Sequence, residues 1–252
     1  MTIFGLQITA MITMFADHLG GSLLNDYLPL RCIGRIAFLT YALLLAEGFR
    51  HFKGDDKRIR AHLSFYVVSA VVSEIAYDFL ECDTFTVANL MSSQNAMITL
   101  LLAFLGLIAI EKWKDKPVNV ICAVILTSFI NYVTIANYRM VGVLLVYFFY
   151  FYLEHMEGKP YFRRAAELIA AMFIYFPLWL WAKEEFCGLR EYMACLDTAN
   201  LVWFAGHIIA ALILASYTGK LGYYNMGFKK VYRWFYPAHM FVLGVIYHLF
   251  II

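Results

Sequence analysis

The chain has 252 residues, of which 63% are hydrophobic and 15% charged; its mean hydropathy is +0.69 and its net charge +2. Soluble domains carry roughly a quarter charged residues, so a water-soluble globular domain is excluded. With no basic stripe on a folded surface of its own, a nucleic-acid partner is excluded as well.

A helical span needs about 20 mostly apolar residues. Nine such stretches read off in chain order at 3–24, 30–50, 62–80, 92–111, 118–136, 140–155, 165–182, 200–217 and 234–252. Only Asn137, Tyr138 and Arg139 separate the fifth from the sixth, which makes them a tight or a re-entrant hairpin. The first stretch does not read as a cleavable signal peptide, because it lacks a basic leading segment and carries Asp17 and His18 inside it. The longest polar gap, 183–199, is too short to bury a core, so 1–252 reads as one transmembrane domain.

Fifteen of the 20 Lys and Arg residues fall in every second gap: Arg50 to Arg60, Lys112 to Lys116, Lys159 to Arg164, and Lys220 to Arg233. Short loops rich in Lys and Arg stay cytoplasmic during insertion. The expected fold is an all-α membrane protein, a polytopic bundle of about nine transmembrane helices with the N-terminus cytoplasmic and the C-terminus outside. The setting is a bilayer, read as a bacterial inner membrane.

Ionisable groups inside a bilayer cost about 2.5–3.5 kcal/mol each on insertion scales and usually serve a site or pathway. By the expected depths, Asp17 and His18 lie in the outer third of span one, Arg35 near the outer end of span two, and Glu74 and Asp78 near that of span three. Gln94 and Asn95 open span four from the same side. Neighbouring positions on a helix do not face each other, so Asp17 and His18 should find different partners. Arg35 is the counter-ion expected for Asp17, Glu74 or Asp78, whether to lock helices or to act in chemistry. His18 is the candidate proton-transfer group, since a neutral imidazole tolerates burial. A second set lies toward the inner side: Glu47 with His51, and Tyr236 with His239 about two turns into span nine. The cations Lys220, Lys229, Lys230 and Arg233 precede that pair. Such cations suit lipid headgroups or the phosphates of an anionic cofactor. The five cysteines show no metal-ligand spacing, so no metal is expected. Cys82, Cys187 and Cys195 fall in outer loops, either disulfide-bonded or free.

Short blocks of the sequence resemble the TraX family in order. They are Ile12-Thr13-Met14 with Asp17-His18-Leu19-Gly20, Leu30 to Phe38, Glu47-Gly48-Phe49-Arg50-His51, and Ser73 to Asp78. Asn95 to Leu102 with Gly106, and Tyr217 to Lys220 through Phe235-Tyr236-Pro237-Ala238-His239, complete the set. The resemblance departs at Leu39-Thr40, where the family tends to have proline, and at Thr218, where asparagine is usual. It implies an integral membrane acetyltransferase that uses acetyl-CoA, the namesake acetylating the N-terminus of F-type pilin. By matching position, Asp17, His18, Arg35, Glu47, Glu74, Asp78, Asn95, Lys220, Tyr236 and His239 are motif residues. The expectation is acetyl transfer to an amine or hydroxyl at the outer side, on a pilin-like peptide, a surface glycan or a small molecule. His18 serves as base with Asp17 beside it, Arg35 and Asn95 face the oxyanion, and Lys220, Arg233, Tyr236 and His239 hold the cofactor. Glu47, Glu74 and Asp78 form a substrate-binding or structural polar layer. The alternatives are a proton-coupled secondary transporter and a non-catalytic assembly factor for a surface appendage.

Overall fold

A computed structural model describes residues 1–81, 94–183, 197–223 and 225–250. Cys82, Cys187 and Cys195 lie outside the described residues, and with them the disulfide expectation.

Among the described residues the chain forms nine α-helices: α1 Ile3–His18, α2 Leu28–Phe52, α3 Asp56–Glu81, α4 Ala96–Lys112, α5 Pro117–Val133, α6 Arg139–Met156, α7 Tyr161–Lys183, α8 Thr198–Ala215 and α9 Met226–Phe250. Polar side chains set several of the starts. Thr2 accepts the Gly5 N–H at 3.2 Å, Asn95 the Met97 N–H at 2.8 Å, and Asp197 the Asn200 N–H at 2.8 Å, each satisfying an orphan donor of a first turn. Proline in the first turn, where no N–H is needed, opens α2 and α5.

Among the described residues five helical segments are long and apolar enough to cross a membrane: Ile3–Leu23, Leu28–Phe52, Asp56–Glu81, Tyr161–Lys183 and Thr198–Ala215. The protein is a multi-pass integral membrane protein. Its outer surface agrees, since Val71 and Ile75 on α3, Ile125 and Phe129 on α5, and Phe173 and Ile174 on α7 are exposed. Fully apolar residues face outward where a lipid chain is as good a neighbour as another side chain.

Helix α2 is the axial element and packs on α1, α4, α6 and α8. Two glycines permit its closest approaches. A Cβ on Gly34 would lie 2.3 Å from the Asp17 Cβ, and one on Gly206 of α8 would lie 2.3 Å from the Cys32 carbonyl oxygen. The α5–α6 turn, with Ile135 and Arg139 at positive φ, is tied to the start of α4: the Gln94 N–H donates to Ile135 O at 3.2 Å and the Asn137 N–H to Gln94 O at 2.9 Å. The hairpin expected around Asn137 is thus a short turn joining two helices of 17 and 18 residues.

The last helix differs from expectation in a way that matters for the site. It begins at Met226, eight residues before the expected start at 234, and carries Pro237 in its interior. His239 therefore stands 13 residues into α9, about 20 Å along it at 1.5 Å per residue, rather than two turns in.

Candidate active site

His18 ends α1, where the chain passes into a π-helical turn over Leu19–Leu23. Such bulges commonly re-aim side chains at functional sites. The extra length of α9 inside the bundle brings His239 level with it. The His18 Nδ1 and His239 Nε2 atoms are 2.7 Å apart, the rings are nearly parallel at 7°, and both residues are buried. The two depths expected for these histidines are one.

Hydrogen-bond logic fixes the tautomers. His239 Nδ1 lies 2.7 Å from the Phe235 carbonyl oxygen, which can only accept, so Nδ1 carries the hydrogen. A neutral His239 then accepts at Nε2, and His18 Nδ1 must be the donor. The Nε2 atom of His18 is left with its lone pair free. His239 orients His18 much as a triad's third member orients its base.

Asp17, one position earlier, faces elsewhere, as expected for successive helix positions. The Arg35 Nη2 donates to both of its carboxylate oxygens, at 2.7 and 2.9 Å, and Arg31 Nη1 donates to Oδ1 at 2.9 Å. Arg35 also donates from Nε to the Arg31 carbonyl at 3.2 Å, and its guanidinium lies over the Trp203 ring, 5.5 Å from the centroid. Arg31 joins the cluster because it stands one turn before Arg35 on α2. Glu74 pairs with Asn95 rather than with Arg35. The Asn95 backbone N–H donates to Glu74 at 3.1 Å, and its side-chain amide donates both to Glu74 and, at 3.1 Å, to the Ala70 carbonyl. Asp78 is buried on α3 with its Oδ2 unpartnered among the described residues.

Two adjoining cavities give the cluster access. The smaller, about 40 Å³, is lined by Asp17, His18, Phe38, Asn137 and Tyr138 among others. The larger, about 210 Å³, has His62, Lys229, Arg233 and Glu47 in its lining. Tyr41, Met97, Leu100 and Tyr236 form walls of both. Tyr236 couples the parts: its ring is 5.9 Å from that of His18, and its hydroxyl accepts the Ala96 N–H at 3.4 Å beside Asn95.

Of the residues expected to hold a cofactor, Arg233 and Tyr236 line the larger cavity and His239 supports His18. Lys220 stands apart from both linings. Its carbonyl accepts the Ile3 N–H at 2.9 Å, where the N-terminal residues pair with the loop after α8, and its side chain is exposed. Lys229, for which a lipid headgroup was the expected neighbour, lines the larger cavity. Arg35 and Asn95 are absent from both linings; Arg35 gives Nη2 to Asp17 and Nε to Arg31, and Asn95 gives its amide to Glu74 and Ala70. Glu47 receives the Tyr217 hydroxyl at 2.7 Å, His51 at 3.1 Å and Arg50 at 3.2 Å.

A bundle of long apolar helices enclosing an arginine–aspartate cluster, a histidine pair and a basic-mouthed cavity defines a membrane protein with a polar site within its helices. The chain belongs to the TraX family: the TraX protein family matches residues 5–247. It is also similar to the "Probable fimbrial assembly protein FimC, serogroup H1" of Dichelobacter nodosus, 26% identical over 245 residues that cover 95% of this chain and 93% of that protein. No solved structure matches it.

Proposed function

We propose that the protein is an integral membrane acetyltransferase that takes the acetyl group from cytosolic acetyl-CoA and passes it to an amine or hydroxyl acceptor from the outer side. The observation that carries this is the pair of adjoining cavities running from Lys229 and Arg233 to His18. The shape suits a molecule with an anionic head, a long thin arm and a reactive end. Phosphates at the basic end gain charge-assisted hydrogen bonds; the pantetheine arm passes between Tyr41, Met97, Leu100 and Tyr236; the thioester reaches His18. The charge sorting of the loops supports a cytoplasmic face for that basic end, the side where acetyl-CoA is made.

In the reaction, the acceptor nitrogen or oxygen attacks the thioester carbonyl carbon while His18 Nε2 takes its proton. His239 remains hydrogen-bonded to His18 and shares the positive charge that forms. The tetrahedral intermediate then collapses, the C–S bond breaks, and the CoA sulfur leaves with the proton returned from His18. Asp17 with Arg31 and Arg35 holds the end of α1 against α2 and so fixes where His18 stands. Family membership supports acetyl transfer, and the name of the fimbrial relative supports an appendage subunit as the acceptor. The test is purified protein in vesicles with labelled acetyl-CoA and a peptide bearing a free N-terminal amine. Release of CoA thiol with matching label in the peptide is expected; flux of a solute without thioester loss would instead favour a transporter.

A further inference from the structure

An acyl transfer needs a donor for the carbonyl oxygen as that oxygen becomes an anion, and such preorganised donors are often the largest single contribution to rate. The two residues the sequence offered, Arg35 and Asn95, line neither cavity; Arg35 is committed to Asp17 and Arg31 through Nη2 and Nε, and the Asn95 amide to Glu74 and Ala70. One hydroxyl in the cavity walls is different. Tyr41, on α2, lines both cavities at their shared boundary, and its oxygen is buried with no hydrogen-bond partner among the described residues. Its ring is held by stacking on Tyr232, with centroids 5.8 Å apart and planes at 17°. A buried, orientationally fixed hydroxyl without a partner is costly and demands an explanation, and a ligand oxygen supplies one.

We propose that the Tyr41 hydroxyl donates the hydrogen bond that stabilises the carbonyl oxygen of the acyl group during transfer, which makes Tyr41 a catalytic residue in the cavity that His18 also lines. The inference rests on the acetyl-transfer reading. As the acceptor bonds to the carbonyl carbon, the C=O π pair moves onto oxygen and the Tyr41 O–H donates to that oxygen without losing its proton. The acceptor's proton goes to His18 Nε2. When the C–S bond breaks, the oxygen's pair re-forms the carbonyl, and the hydrogen bond from Tyr41 weakens again.

The experiment compares the full-length wild type with Tyr41→Phe in vesicles, reading kcat, KM for acetyl-CoA and the thermal melting point. Expected is a kcat lower by about 100-fold to 1,000-fold, the cost of deleting one oxyanion donor. KM should stay within threefold and melting should be no lower than wild type. A kcat within threefold of wild type, or a loss carried wholly by KM, overturns the proposal. So does a lowered melting point, because the hydroxyl would then have a structural partner. A wild type that transfers no acetyl group brings down the acetyltransferase reading itself, and this role with it.

Discussion

His18 on the first long helix and His239 on the last, 221 positions apart, share one hydrogen bond of 2.7 Å inside the bundle. That contact joins α1 to α9 and leaves His18 Nε2 as the free basic atom. His18→Ala is expected to abolish acetyl transfer while the protein remains folded and inserted. His239→Ala should leave a residue of activity, with kcat down on the order of 100-fold to 10,000-fold, the range that positioned acid–base groups supply. Rates and detergent gel filtration on both variants check this.

Arg35→Ala should harm folding as well as activity. It strands the Asp17 carboxylate, leaving only the half-buried Arg31 beside it. Breaking a buried pair by removing one partner costs roughly 3–5 kcal/mol. Arg35→Lys, which keeps charge but not the two-oxygen contact, should fall between. A melting curve for each variant, with yield from membranes, decides the matter.

Gly34→Ala tests the same junction by size rather than charge. The added methyl would sit 2.3 Å from the Asp17 Cβ, so α1 and α2 must separate. Overpacking of this kind costs typically 1–3 kcal/mol, and here it also shifts His18. Stability and kcat are expected to fall together.

Neutralising Lys229 and Arg233 should raise KM for acetyl-CoA more than it lowers kcat, because they would hold a part of the donor remote from the reacting carbon. Hydrogen bonds to charged groups are each worth about 1.5–3 kcal/mol, so a rise of about tenfold or more per residue is expected. Lys220→Ala, outside the cavity linings, should change KM far less. Steady-state kinetics across the three variants separates these outcomes.

The small cavity at His18 also limits the acyl group. Its 40 Å³ holds about three water-sized groups at the ~10–15 Å³ each requires. Phe38, stacked on Tyr138 with ring centroids 3.5 Å apart, forms part of its wall. Phe38→Leu should therefore favour propionyl-CoA over acetyl-CoA relative to wild type, by roughly tenfold in kcat/KM, since one methylene is worth about 1–3 kcal/mol in an apolar pocket.

Much of this was legible in the residues. Apolar length announced the helices, and the rule that a buried charge needs a partner offered Asp17, Glu74 or Asp78 to Arg35, of which the structure selects Asp17. What was not legible turned on one boundary. The segment Met226 to Arg233 reads as an inner basic loop by composition, yet it forms the first two turns of α9, stabilised by packing against α3. That shift carries His239 to His18 and turns Lys229 and Arg233 toward a cavity. Tyr41 was invisible for another reason: a tyrosine in an apolar helix reads as packing, and only a hydroxyl without a partner marks it out. Asn95 is legible in a different way. Its polarity suggested chemistry, and the structure shows it capping α4 and bonded to Glu74.

The most direct measurement uses sealed vesicles of defined sidedness, with labelled acetyl-CoA on one face and an amine-bearing peptide on the other. With donor on the cytoplasmic face, wild-type protein should label the peptide and release CoA thiol in equal amounts, and His18→Ala should do neither. Transfer that proceeds unchanged in His18→Ala, or that requires acetyl-CoA on the outer face, would contradict a reaction run by His18 at the end of a cytoplasm-facing cavity.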